Sequence, residues 1–373
     1  MELSSEDSLR LNVMLANKPL AIRIDDSAMR VDALMADDRT LSVKLNPIGR
    51  DEPYIRRVRE LLSTQILGSP GGYPVFISRW TRMGQTRDIT LERLLMIGEP
   101  EAVVAAVHSP GLDNELARRA WWCMQNSDNA RCMLLKKAVA EGDMGAELAQ
   151  YLVDYLPFET EDKHAIESIR LMLQARLVDQ TVQDKLWRQA GRKSSYYVAF
   201  LHALPDELPG IDASHAQWLV VRDELEALVE SGNAFATQLS RLLSPPGQAW
   251  LRTIQQALKK PSNQDVISSL MLAIDAYFGT LYQYDKKIDS MEDILGKVQD
   301  DVCGESISAE FAILWRSFPE LQTEMTAMLV LAHIDESVVI PVFARSDAIG
   351  SLMRRKLEPV TTPLLAQIKY LYG

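Results

Sequence analysis

Cysteine is scarce: only Cys123, Cys132 and Cys303 occur in 373 residues, and no two of them form a C-x-x-C pair. That spacing offers neither a zinc ribbon nor a disulfide framework, and free thiols suit a reducing compartment. No apolar run approaches the ~18 residues of a membrane-crossing helix. The start, Met1-Glu2-Leu3-Ser4-Ser5-Glu6-Asp7, lacks the basic and apolar stretches of a signal peptide, so a cytoplasmic protein is expected. Cations are in deficit, with a net charge of −11. Broad binding to nucleic acid or anionic lipid needs clustered positive charge and is not expected. The five histidines (108, 164, 202, 215, 333) show no triad order, and no G-x-S-x-G elbow, H-E-x-x-H or kinase set is present. Neither an enzyme nor a bound cofactor is expected.

What is present is apolar patterning. The chain is 47% hydrophobic and 24% charged, enough for a large core. Residues 1–72 read as a small α+β unit. Ser4 or Ser5 caps a helix with Leu11, Val13, Met14 and Leu15 crowded on one side, and Asn17-Lys18-Pro19 stops it. Segments 20–24, 30–35 and 41–45 are extended and separated by aspartate-rich turns, which predicts a short β-meander. A helix over 53–67 follows, with Ile55, Val58, Leu61 and Leu62 on one face.

From about residue 73 the strand signal stops, and helices alternate with short breaks. Leu91, Leu94 and Leu95 form a stripe that Gly98 ends, and Pro100 opens a second helix carrying Val103, Val104 and Val107. Single helices are expected over 129–141 and 262–284, and separate ones over 349–357 and 363–372. Two prolines and a glycine between residues 205 and 210 mark an internal boundary. The expected fold is therefore mainly α. It is a HEAT-like helical repeat array, an α-solenoid in two halves (73–204 and 211–373), preceded by the N-terminal unit.

Four features carry candidate chemistry. Glu161-x-x-His164 and Asp212-x-x-His215 have the spacing that places a carboxylate and an imidazole on one helix face, as di-iron proteins do. Both acids are expected in first turns, where they cap and offset the dipole, so no metal site is assigned. Cys132 sits near a helix start beside Arg131, with Lys136 one turn on, features that stabilise a thiolate and would suit a reactive, persulfide-carrying thiol; the bland and commoner alternative is a buried structural cysteine. Cys123, beside Trp121 and Trp122, reads as core, and the acids around Cys303 discourage a thiolate there. The glycine-rich run 68–74 followed by Arg79 and Arg82 offers backbone amides (Gly71, Gly72) and guanidiniums to an anion or nucleotide. It is neither a Walker A loop nor G-x-G-x-x-G, and the bland alternative is a linker whose arginines pair with Asp51, Glu60, Asp88 and Glu92. Eight arginines against five acids between residues 50 and 93 make this the most basic stretch of the chain.

Three segments carry a likeness: Leu-Ser-Ser-Glu-Asp-Ser-Leu-Arg-Leu-Asn-Val-Met-Leu-Ala-Asn (3–17), Arg-Asp-Glu-Pro-Tyr-Ile-Arg-Arg-Val-Arg-Glu-Leu (50–61) and Gly-Ser-Pro-Gly-Gly-Tyr-Pro-Val-Phe-Ile-Ser-Arg-Trp-Thr-Arg-Met-Gly-Gln (68–85). With Ala-Arg-Arg-Ala-Trp-Trp (117–122), these resemble the DsrS family, encoded with the dissimilatory sulfite reductase genes of sulfur-oxidising bacteria. The resemblance implies a cytoplasmic accessory role in oxidising stored sulfur, with other proteins of that system as partners. It carries no catalytic or ligand residues over to this chain.

Overall fold

The computed structural model describes residues 3–47, 49–68, 91–210, 212–279, 281, 288–304, 308–344 and 348–373. It is mainly helical, with one three-stranded antiparallel sheet near the N-terminus. Two compact units divide at Pro157/Phe158. The expected internal boundary at 205–210 lies inside the second.

In the first unit, α1 (Ser5–Ala16) starts where Ser4 Oγ accepts the Asp7 N–H at 3.1 Å, with Glu6 and Asp7 in its first turn. Leu11 and Met14 face inward as the periodicity predicts, but Val13 is 54% exposed. Three strands follow in the order β1 (Ala21–Asp25), β2 (Arg30–Leu34) and β3 (Thr40–Lys44), paired Ile22 to Ala33 and Val31 to Val43. α2 (Asp51–Leu67) lays Tyr54, Ile55, Val58 and Leu62 on the same core as Leu11, Ile22, Val31 and Leu45. A buried carboxylate ties these pieces together. Asp7 Oδ2 accepts the Tyr54 hydroxyl at 2.5 Å and the Asn46 N–H at 2.8 Å.

The outer edge of β1 is closed by the chain after α3 (Leu91–Leu94). The Ile22 N–H donates to the Leu95 carbonyl at 2.8 Å, and Arg23 bridges Gly98. Covering an edge this way removes a template for unwanted pairing. Gly98 has φ +68°, and a Cβ there would lie 2.8 Å from Ile24 Cγ1, so both conformation and space call for glycine.

α4 (Pro100–His108), α5 (Asn114–Cys123), α6 (Ser127–Leu134), α7 (Lys137–Ala140) and α8 (Asp143–Tyr155) complete the unit. Asp113 and Asn126 cap α5 and α6 through their side chains. The single helix expected over 129–141 is two, broken at Leu135 and Lys136. Leu134 and Val139 are both buried, and five residues apart they would point roughly 140° from each other on one helix. The break lets both face the core and leaves Leu135 exposed.

Among its described residues the second unit has helices and no strand. α9 (Asp162–Gln174), α10 (Gln180–Ala190) and α11 (Ser194–Ala203) precede non-helical residues 204–210 and 212–217. α12 (Trp218–Glu230), α13 (Ala234–Leu243), α14 (Pro245–Lys259) and α15 (Gln264–Phe278) follow. α16 (Met291–Cys303), α17 (Ala309–Ser317), α18 (Gln322–Ala332), the short α19 (Ile340–Phe343) and α20 (Gly350–Leu371) complete it. Packing is not only between sequential neighbours. α11, apolar almost all round, is covered by α9, α10, α14 and α15, and α20 returns onto α14 and α18.

The proline-rich stretch is pinned rather than hinged. Asp206 receives two hydrogen bonds from Arg241, each 2.7 Å, and that guanidinium lies 3.7 Å over the Tyr277 ring, which stacks on Trp250. Glu207 pairs with Arg176 at 2.9 Å. At the C-terminus, one helix spans what the sequence divides in two. Leu357, Val360, Leu364, Ile368 and Leu371 recur at helical spacing and are buried. Pro359 is exposed, so water reaches the carbonyl that its missing N–H leaves free. The helix expected over 262–284 ends at Phe278, and part of its remainder lies outside the described residues.

Candidate functional site

Of the candidate residues, Gly71, Gly72, Arg79 and Arg82 lie outside the described residues. The anion-binding arrangement they were expected to form is therefore not described. Among the described residues, a cavity of about 700 Å³ in the first unit is lined in part by Asn12, Lys18, Gln65, Glu92, Arg93 and Arg119. Its charge is mixed, and Arg119 is held by Glu115 at 3.0 Å.

Cys132 is described and has acquired a partner that sequence reasoning missed. The thiol sits on α6, half-buried, with His108 Nδ1 3.5 Å away and the Val107 carbonyl at 3.7 Å. His108 is the last residue of α4 and is exposed. Two consequences follow from its position. The imidazole can accept the thiol proton directly, and a cation formed there faces the negative end of the α4 dipole. Lys136 Nζ reaches the His108 carbonyl at 3.5 Å, which places a second cation at that helix end. Arg131, expected to support a thiolate, is buried and paired with Asp128 on its own helix.

Among the described residues, neither of the two other thiols has an imidazole in contact. Cys123 lies against the Ile22 and Leu95 carbonyls, and burial pushes its pKa up to about 12. Cys303 ends α16, exposed, with the Gln299 amide donating to its sulfur at 3.0 Å. None of the three cysteines is in a disulfide.

Neither acid–histidine pair builds a metal centre, and no cluster of three ligating side chains occurs among the described residues. Glu161 is the N-cap of α9, and His164 Nδ1 lies 3.6 Å from both Glu159 and Glu161. Asp212 and His215 precede α12 instead of starting it, so the shared helix face does not exist. Asp212 is engaged by Arg252 at 3.2 Å and by the Tyr372 hydroxyl at 3.3 Å. His215 is buried 3.8 Å from Glu324, and burial lowers its pKa despite that carboxylate.

The signal for the thiol–imidazole pair was present only in part. Cys132 stood out through its basic neighbours, but His108 is 24 residues away and meets it only because α4 packs on α6. Comparison with known proteins gives no match to this chain: no family model, no curated protein and no solved structure.

Proposed function

We propose that this chain is a non-enzymatic cytoplasmic accessory protein of the DsrS type. In this reading it serves the oxidation of stored sulfur through contacts with proteins of the dissimilatory sulfite reductase system. Two supports bear on it. The residue likeness over 3–17, 50–61, 68–85 and 117–122 supplies the setting. The observation that carries the interaction itself is the outer face of α12, where Leu219 and Val220 are adjacent and 77% and 75% exposed. Single exposed apolar residues need no explanation, but a neighbouring pair at the start of a helix is a ready contact for another chain. In this reading the helices form a modified HEAT-like array, in which the last helix closes back onto the middle of the second unit.

The test is direct binding between the full chain and purified sulfite reductase subunits by interferometry. The wild-type protein is expected to bind, and the L219E/V220E double variant to lose roughly tenfold or more in affinity, as truncated hot spots do. Failure of the wild type to bind any component of that system removes the proposal.

A further inference from the structure

The geometry points to Cys132 and His108 as a sulfur-accepting site that takes the terminal sulfur of a persulfide, R–S–SH. This inference stands on the first unit alone and does not depend on the interaction reading. The thiol has a base within reach, since His108 Nδ1 lies 3.5 Å from Sγ. Imidazole-assisted thiols are nucleophiles because the thiolate, not the thiol, attacks. The site is also open on one side, with His108 exposed and Cys132 half-buried.

The surroundings and the half-burial of the sulfur select the electrophile. None of the three cysteines is in a disulfide, so no resolving thiol is bonded to Cys132. The product at Cys132 must therefore be stable by itself or pass to another molecule. A persulfide adds a single atom to the half-buried sulfur, whereas a mixed disulfide would place a whole second side chain there. Its terminal sulfur is acidic, and the anion would sit beside the His108 imidazolium and near Lys136 Nζ, which already contacts the His108 carbonyl.

The exchange balances without an added oxidant. The Cys132 proton moves to His108 Nδ1, and the thiolate attacks the outer sulfur of R–S–SH. The S–S bond of the donor breaks as a new bond forms to Cys132 Sγ. The departing R–S⁻ takes the proton from His108. The sum is one thiol and one persulfide exchanged for another pair, with no net change of oxidation state.

The test uses the full chain with glutathione persulfide and follows each cysteine by peptide mass spectrometry. Cys132 should gain one sulfur atom at least about tenfold faster than Cys303, although Cys303 is the more exposed, because among the described residues only Cys132 has an imidazole in contact. Cys123 should stay unmodified and so reports that the protein is folded. H108Q should slow Cys132 by about tenfold or more and leave the rate at Cys303 unchanged. The wild-type comparison needs no variant: if Cys132 reacts no faster than Cys303, the proposal fails. It also fails if H108Q, with Cys123 still protected, leaves the Cys132 rate unaltered.

Discussion

Removing the Tyr54 hydroxyl tests the frame that holds the first unit together. Tyr54 and Asp7 are both fully buried, and the hydroxyl donates to Asp7 Oδ2 at 2.5 Å while accepting the Ser4 N–H at 3.1 Å. The other oxygen, Asp7 Oδ1, is buried without a hydrogen-bond partner among the described residues, so this carboxylate depends on Tyr54 and on the Asn46 N–H. Tyr54→Phe keeps the ring and its packing. It leaves a buried carboxylate short of a donor, which costs about 1.5–3 kcal/mol when the acceptor is charged. Asp7→Ala removes the carboxylate but orphans the Asn46 N–H. The two changes share one interaction, so the double variant should fall short of their sum by about 1–2 kcal/mol. Urea unfolding supplies the free energies. Native-state hydrogen exchange shows where the loss falls, with amides in α1 and α2 losing protection and those of the second unit unchanged. A cost below about 0.5 kcal/mol for Tyr54→Phe, or strict additivity, would refute the reasoning, because both require that the hydroxyl and the carboxylate do not interact.

Gly98→Ala should destabilise the first unit by about 2 kcal/mol or more, since it combines a left-handed φ with a clash against Ile24, whereas Gly68→Ala, with a similar φ but open space, should cost only about 1 kcal/mol. Thermal melts of the two variants compare them directly. Pro359→Ala should raise the stability of α20 by about 1–3 kcal/mol, because it restores a backbone donor on a helix whose opposite face is already buried, and urea midpoints report it. Stability of the second unit should fall as pH drops below about 6.5. Burial lowers the pKa of His202, His215 and His333 in the folded state, so the unfolded chain binds protons first and the stabilisation present above the unfolded value is lost on acidification. Urea midpoints at about pH 7.5 and about pH 5.5 measure the slope, and His202→Gln should flatten it if protonation of that site contributes.

The elements most legible in the sequence are those set by local chemistry. Ser4 caps α1, aspartate-rich turns separate the strands, Gly98 stops one segment and Pro100 opens the next, and each acts on backbone within a few residues of itself. Reading failed where tertiary packing overrode a local signal. Proline at 359 and 363 breaks an isolated helix, yet α20 continues because its buried stripe outweighs the lost hydrogen bonds. The prolines and glycine of 205–210 look like a linker until Arg241, 35 residues on, grips Asp206 and lies over Tyr277. A HEAT-like array was expected from the rhythm of the breaks, although no repeat aligns residue by residue, and rhythm says nothing about which helices meet. The return of α20 onto α14 is a long-range fact.

The same distinction explains the candidate site. Sequence neighbours singled out Cys132 through Arg131 and Lys136, and the fold reassigns both: Arg131 turns to Asp128, while Lys136 reaches the end of α4. The residue that matters most, His108, carries no local mark, because an exposed histidine before Ser-Pro-Gly resembles any helix end. Its meaning comes from the α4–α6 packing, which sets an imidazole at contact distance from one thiol and, among the described residues, from neither of the others. If that packing makes the site, a change that moves α6 without touching either side chain should weaken it. Leu134→Ala, which empties a buried position at the end of α6, should slow sulfur uptake at Cys132 more than at Cys303. Equal rates in that variant would mean that the local sequence around Cys132, and not its contact with α4, determines its reactivity.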